Sequence, residues 1–363
     1  MKGEIKQDAG GGRFIAAALG VSVLVMALCA LMIFLADPFF HYHAPVAGFP
    51  YIIDNELSQN PGMAQRMSYD SLITGSSMTM SFHTDDLKEL LGLDTIKLPY
   101  PGAYPADIST ILQKAFDPES LARRKNGLKT VVISIDNTTL TADTDEHKFE
   151  LPEYLYDRNV INDVYYVLNR EVLWQYVLRP AVQRKPLDMN TVYDLSFTPE
   201  EYNGEKVLAE YEPAEREEGY DKEALIPRTA ANMDANILPF IEEHPETEFI
   251  CFFPAYSILY WNDMLRRNKV EATLAQTQYV AERLMEYPNA RVFFFQDMEE
   301  FVTDLDNYAD YTHYVPEFNR YMVECFADGS HEVASKADME RHLEATAEMV
   351  QDYDFDALEY GGD

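Results

Sequence analysis

Five short runs of apolar residues recur after residue 70, and stretches with helical spacing lie between them. The runs are continuous and rich in β-branched and aromatic residues, as is typical of strands buried on both faces. Helices are predicted between the runs, for example over Ala106–Phe116 and Val270–Glu286. This alternation predicts an α/β fold, a doubly wound (flavodoxin-like) parallel sheet flanked by helices. The five predicted strands are Ser71–Thr74, Thr95–Leu98, Thr130–Ile135, Glu248–Phe253 and Arg291–Phe295.

A longer apolar run stands near the N-terminus. Phe14 to Ala36 contains 23 residues without a charge, enough for a helix to cross a hydrocarbon core of about 30 Å. Lys2, Lys6 and Arg13 precede it, so the positive-inside tendency predicts a cytoplasmic tail over 1–13 and a single-pass signal anchor over 14–36. A cleaved signal peptide is the alternative, but its apolar region is usually about 7–15 residues long. The anchor predicts a cell-membrane protein whose C-terminal domain is extracytoplasmic.

The remaining chain divides by composition. A Pro- and aromatic-rich connector covers 37–69, the α/β domain covers 70–334, and an acidic, helical C-terminal tail covers 335–363. An insertion at about 138–247 separates the third and fourth strands and contains a predicted helix over Asn159–Val182. Because the insertion follows the third strand, it is expected to shape an acceptor site at the carboxyl edge of the sheet. A helical brace remote from that edge is the alternative.

The charge excludes one class of partner. The chain has a formal net charge of -33, and the tail before the anchor contributes +1, with three basic and two acidic residues. The part after the anchor is therefore strongly acidic and would repel nucleic acid and anionic lipid headgroups. Three cysteines do not form a disulfide framework, although a bridge between Cys251 and Cys325 is an alternative to two buried free thiols.

Polar residues with catalytic potential follow the predicted strands. Ser77 lies in the turn Thr74–Met80 (TGSSMTM) after the first strand, and Gly102 follows the second. Asp136 and Asn137 follow the third, and Asp310 and His313 lie beyond the fifth. The carboxyl ends of parallel strands share one edge of a sheet, so these residues are expected to converge there. A serine needs a base, the base needs an orienting carboxylate, and a tetrahedral intermediate needs N–H donors.

These motifs resemble the SGNH/GDSL hydrolase superfamily. Gly75-Ser76-Ser77 is similar to its first block, with Ser76 where the family has aspartate, Gly102 to its second, and Asp310-Tyr311-Thr312-His313 to its last. The third block departs from the family pattern, because Asp136 stands in the register of the family's asparagine. The resemblance implies Ser77 as nucleophile, His313 as general base and Asp310 as its orienting carboxylate. It implies an oxyanion hole built from the Ser77 and Gly102 N–H groups, with Asn137 or Asp136 as the remaining candidate.

The anchored layout is similar to the membrane-anchored envelope acylation proteins of that superfamily, the D-alanyl transfer and alginate O-acetylation types. The resemblance implies a serine esterase or O-acyltransferase acting on acyl groups of a cell-envelope glycan. The expected partners are the glycan or an acyl donor and, beside it, a membrane-bound O-acyltransferase. No metal or organic cofactor is expected. The alternative is a non-catalytic scaffold or glycan-binding protein in envelope polysaccharide assembly.

Overall fold

The computed structural model describes residues 9–125, 127–185, 187–195, 197–219 and 222–358. Most of the tail expected over 1–13 lies outside them. The chain forms two compact units. One combines Met1–Ile53 with Pro152–Leu187, and the other combines Asp54–Leu151 with Asp188–Asp363. We call them the anchor unit and the sheet unit.

The sheet unit contains five parallel strands in the order β2-β1-β3-β4-β5. In chain order the strands are β1 Ser71–Thr74, β2 Thr95–Lys97, β3 Thr130–Ser134, β4 Glu248–Phe253 and β5 Ala290–Phe294. Leu72 is in register with Ile96 on one side and Val131 on the other, and Val131 is in register with Phe249. The chain therefore runs outward in both directions from the junction of β1 and β3, and open α/β sheets bind ligands at such a switch point.

Helices of the sheet unit flank its sheet. The α-helices are α1 Ala9–Ala36, α2 Glu56–Arg66, α3 Thr84–Leu91, α4 Pro105–Phe116, α5 Leu121–Lys125, α6 Glu153–Tyr156, α7 Val164–Val167, α8 Arg179–Gln183, α9 Gly204–Glu210, α10 Lys222–Asn232, α11 Leu238–Glu243, α12 Ile258–Arg266, α13 Val270–Leu284, α14 Glu299–Val302, α15 Pro316–Asp328 and α16 Lys336–Asp352. Wider helical turns cover Val172–Leu178 and Met233–Ile237. The predicted α/β class with a helix-flanked parallel sheet is confirmed.

The core of the sheet unit is aromatic. β4 and β5 bury Phe252 and Phe293 against Phe326 of α15, and Trp261 of α12 is fully buried in the same cluster. Cys251 and Cys325 are free and buried, so the alternative of a bridge between them is wrong. A continuous apolar run forms a strand that is buried on both faces, because burial of every side chain along it is favoured by the hydrophobic effect.

The anchor unit is built around α1. Its span Gly11–Ala36 is the one helix among the described residues that is long and apolar enough to cross a membrane, with a mean hydropathy of 2.7. The C-terminal turn of α1 packs Ile33 and Ala36 against Tyr166 and Val172. The buried Asp37 that follows α1 accepts a hydrogen bond of 3.0 Å from the Tyr166 hydroxyl.

The insertion differs from the prediction. The long helix expected over Asn159–Val182 is divided into shorter helices, because the Asn169 side chain caps a new turn by accepting from the Glu171 N–H at 2.9 Å. Residues 152–187 belong to the anchor unit, whereas 138–151 and 188–247 belong to the sheet unit. The acidic tail expected from residue 335 contains the single long helix α16 within the described residues.

Candidate active site

A tight turn after β1 presents the candidate nucleophile. Gly75 has φ +135, and a Cβ added there would lie 2.2 Å from Ser134 Oγ on β3. No other residue fits, because both the backbone conformation and the space exclude a side chain. The Ser76 Oγ then accepts from the Met78 N–H at 3.3 Å and begins a short 3₁₀ turn at Ser77.

Ser77, His313 and Asp310 form one hydrogen-bonded chain. Ser77 Oγ lies 2.8 Å from His313 Nε2, and His313 Nδ1 lies 2.6 Å from Asp310 Oδ2. An ionised carboxylate can only accept, so Nδ1 carries the proton and Nε2 accepts from the serine hydroxyl. Burial raises the pKa of Asp310, but the hydrogen bonds and charge of His313 outweigh it and hold that pKa below its ordinary value. The arrangement can remove a proton from Ser77 and stabilise the resulting imidazolium.

The loop that carries Asp310 and His313 is closed on itself. Tyr308 and Tyr314 pair as an isolated antiparallel bridge, which sets the acid and the base at the loop tip. The Tyr308 hydroxyl donates to the Ala255 carbonyl at 2.7 Å and fastens the loop to the segment after β4. The carboxylate is also held locally, since Asp310 Oδ1 accepts from the His313 N–H at 2.8 Å.

Two backbone N–H groups beside the turn are free to bind an anion. Among the described residues, neither the Ser77 N–H nor the Gly102 N–H has a hydrogen-bond acceptor. The loop after β2 is joined to the nucleophile turn, because the Tyr100 N–H donates to the Gly75 carbonyl at 3.0 Å. Gly102 has φ +63, and Lys148 Cε would lie 3.3 Å from a Cβ there. These are the donors that an oxyanion hole uses.

The third-block residues have hydrogen-bond partners of their own. The Asn137 amide donates to Thr277 Oγ1 on α13 at 2.6 Å, which uses one of its two N–H groups. Asp136 accepts from Ser134 Oγ at 2.9 Å and from the Tyr256 hydroxyl. The role of either residue as the remaining oxyanion donor stays a prediction.

Asp136 stabilises the turn that carries Ser77 through Ser134. Ser134 Oγ donates to Asp136 and accepts from the Ser76 N–H at 3.1 Å, so the carboxylate fixes the direction of the hydroxyl that holds the turn. Burial raises the pKa of Asp136, opposed by the hydrogen bonds from Tyr256, Ser76 and Ser134. Sequence reasoning missed the roles of Ser134, which lies within the predicted third strand, and of Tyr256, which lies three residues after the predicted fourth.

Part of the insertion also reaches the site. The Phe197 ring lies 5.7 Å from the His313 ring and 6.1 Å from Tyr202. Burial and the nearby charges of Glu317 and Asp310 raise the pKa of Tyr202 to about 12. No periodicity or motif marks these aromatic residues, because only the path of the loop brings them to the histidine.

A buried lysine holds that part of the insertion in place. Lys97 at the end of β2 has a fully buried side chain, and its Nζ donates to the carbonyls of Met80 and Asn190 at 2.7 and 2.9 Å. Its third hydrogen bond, of 2.7 Å, goes to Asp194 Oδ1. Three acceptors satisfy a buried ammonium group. The segment that leads to Phe197 is thereby fixed to the sheet.

A solvent-accessible cavity borders the triad carboxylate. It has a volume of about 400 Å³, and Asp310, Tyr311, Glu210, Asp263 and Arg267 are among its lining residues. Among the residues the structure describes, no group of three histidine, cysteine or acidic side chains is arranged to hold a metal ion.

The comparisons with known proteins give no relative. No family model, no curated protein and no solved structure matches this chain.

Proposed function

We propose that this protein is a membrane-anchored serine esterase or O-acyltransferase that acts on acyl groups of a cell-envelope glycan. The observation that carries the proposal is the unbroken hydrogen-bonded chain from Ser77 through His313 to Asp310. The two free N–H groups beside Ser77 support it, as does the resemblance of the motifs to the SGNH superfamily. The doubly wound arrangement belongs to the same proposal.

In the proposed reaction, Ser77 Oγ attacks the acyl carbonyl as its proton moves to His313 Nε2. The Ser77 and Gly102 N–H groups bind the oxyanion of the tetrahedral intermediate. The intermediate expels the donor's alcohol, which takes the proton from His313 and leaves an acyl-serine. Water or a sugar hydroxyl then attacks the acyl-serine and gives its proton to His313. The bond to Ser77 Oγ breaks, the serine takes that proton from His313, and the acyl group leaves as an acid or a new ester.

The site of action follows from α1. An apolar helix with a basic N-terminal flank supports a single-pass anchor, a cytoplasmic tail and an extracytoplasmic sheet unit. The expected partners remain the glycan or acyl donor and a membrane-bound O-acyltransferase. Protease added outside intact spheroplasts should digest the bulk of the chain, and carbonate should leave it in the membrane fraction. Protection of the sheet unit would reverse the topology and remove envelope glycans as substrates.

Covalent labelling tests the chemistry. A fluorophosphonate probe should label the full chain in detergent, with the adduct on the peptide containing Ser77. Ser77→Ala should abolish labelling and His313→Ala should slow it strongly, whereas the exposed Ser330→Ala should label like the wild type.

The second candidate function is the non-catalytic scaffold. It is favoured by one observation, that the Asn137 amide, the side-chain candidate for the oxyanion hole, already donates to Thr277. A folded wild-type protein that resists the probe, and hydrolyses no small ester such as p-nitrophenyl acetate, would establish the scaffold over the enzyme.

A further inference from the structure

The anchor-packed segment, Pro152–Leu187, exposes an unusual number of apolar side chains. A soluble surface rarely carries a contiguous apolar patch of this kind without a partner. Val182 is 83% exposed and Trp174 is 59% exposed, whereas Trp261, the only other tryptophan of the chain, is fully buried. The exposed apolar members of the segment are Val160, Ile161, Val164, Tyr165, Leu168, Trp174, Leu178, Val182 and Leu187.

This segment is packed against the last turns of α1. Leu155 and Val177 join Ile33 and Ala36 in one buried cluster, and the Tyr166 hydroxyl binds Asp37. On either side of Ile33, α1 leaves Leu31, Phe34 and Leu35 exposed. The last turns of α1, on which the segment packs, therefore also expose apolar side chains.

The segment also differs in charge from the rest of the chain. It contains five basic and four acidic residues, a net charge of +1, in a chain whose net charge is -33. Its five basic residues, Arg158, Arg170, Arg179, Arg184 and Lys185, are all exposed. Tryptophan and tyrosine at the membrane–water boundary, with basic side chains reaching the headgroups, are the composition of interfacial helices.

We propose that the anchor-packed segment lies in the interface of the bilayer, with its exposed apolar side chains between lipid headgroups and acyl chains. The occupant of the patch is lipid because the segment packs on the last turns of α1, where that helix leaves its own apolar side chains exposed, and because the basic residues suit an anionic headgroup region. The inference rests on α1 being the membrane anchor put forward under Proposed function. It extends that function by giving the protein a second membrane contact.

The two tryptophans permit a direct test. The full chain is reconstituted into phosphatidylcholine–phosphatidylglycerol vesicles with or without acyl chains brominated near the headgroup, since bromine quenches tryptophan on contact. The Trp174→Phe variant reports Trp261 alone, so the difference between the two proteins is the emission of Trp174. We expect brominated lipid to reduce that difference at least about twofold, and to leave the variant almost unchanged. The Ser77→Ala protein should behave like the wild type, which separates this inference from the proposed chemistry.

Each other outcome overturns the inference. The protein could float with the vesicles and resist carbonate while its Trp174 is not quenched. That result would agree with the membrane anchor but contradict an interfacial position of the segment. If that unquenched Trp174 is also protected from aqueous acrylamide, another protein or a second copy covers the patch in place of lipid. Failure to float with the vesicles would remove the anchor and this inference together.

Discussion

The nucleophile turn should depend on a serine that no motif identifies. Ser134→Ala removes the Oγ that accepts from the Ser76 N–H and donates to Asp136. The side chain is almost completely buried, so water cannot replace either hydrogen bond without entering the sheet. The substitution also opens space beside Gly75, where Ser134 Oγ now excludes any Cβ. The turn that carries Ser77 would lose the hydrogen bond that joins the Ser76 N–H to β3.

The size of the effect follows from the two bonds. A buried donor left without an acceptor costs about 1–3 kcal/mol, and a hydrogen bond to a carboxylate contributes about 1.5–3 kcal/mol. Because the two bonds share one atom, we expect a combined loss of about 2–4 kcal/mol in the free energy of unfolding. A looser turn should slow fluorophosphonate labelling of Ser77 about tenfold, which corresponds to about 1.4 kcal/mol in the barrier.

A matched control stands on the neighbouring strand. Ser71 on β1 is fully buried, and within the described part of the chain its Oγ has no hydrogen-bond partner. Ser71→Ala therefore removes an unpaired hydroxyl and should change the free energy of unfolding by less than about 1 kcal/mol. Urea unfolding of the full chain in detergent, followed by near-ultraviolet circular dichroism, measures stability. The labelling rate is measured on the same samples below the unfolding transition.

The reasoning would be refuted if the two variants lost equal stability and labelled equally fast. Equal stability loss with slower labelling in Ser134→Ala alone would keep the role in the turn but reject the stated energetics. Slower labelling in both variants would show that any change in the sheet disturbs the serine.

Three further predictions concern charged groups. Asp310→Asn should slow labelling about 10³-fold or more, because the imidazole loses its orienting acceptor. The pKa of Asp310 lies below its ordinary 3.8. The stabilisation that the ionised Asp310 gives to the folded state is therefore complete above pH 3.8 and is lost as the pH falls through the lowered pKa. Urea titrations should show that the stability difference between the wild type and Asp310→Asn disappears in that range. Burial raises the pKa of Asp136, so the free energy of unfolding should fall as the pH rises from 3.8 through the raised pKa. Asp136→Asn should flatten that pH dependence. An equally steep fall in the variant would contradict this prediction. Lys97→Met should cost about 3 kcal/mol because two carbonyls and the Asp194 carboxylate lose the donor that binds all three. Lys129→Met, at an ion pair with a 58% exposed lysine, should cost less than about 1 kcal/mol in the same unfolding assay.

Much of the sheet could be predicted because its signal is local. Each strand has side chains that are nearly all buried, and a strand of this kind appears in the sequence as a continuous apolar run. The predicted and observed bounds of β1 and β4 agree, those of β2 and β3 differ by one residue at the C-terminal end, and β5 is displaced by one residue at both ends. The broken helix over 159–182 was missed because an asparagine that caps a new turn within an apolar run leaves the helical spacing of the run unchanged.

The candidate site shows the same division. Ser77, Asp310 and His313 could be selected from the sequence because serine, carboxylate and imidazole follow predicted strands, and parallel strands end at one edge. The partner of Asn137 could not be selected in this way, because a side chain at a strand end can turn to either of two neighbours and only the fold brings Thr277 of α13 to it.

The sequence by itself determined the α/β class, the single long apolar helix and the residue types available for chemistry, since these depend on local periodicity and composition. Only the tertiary structure decided which partners those residues meet. The 2.8 Å approach of Ser77 to His313 joins residues 236 positions apart, and the bond from Ser134 to the turn joins different strands. Residues 152–187 join α1 in the anchor unit because Ile33 and Ala36 are buried against side chains of this stretch, such as Tyr166, and that surface forms only after the chain has folded.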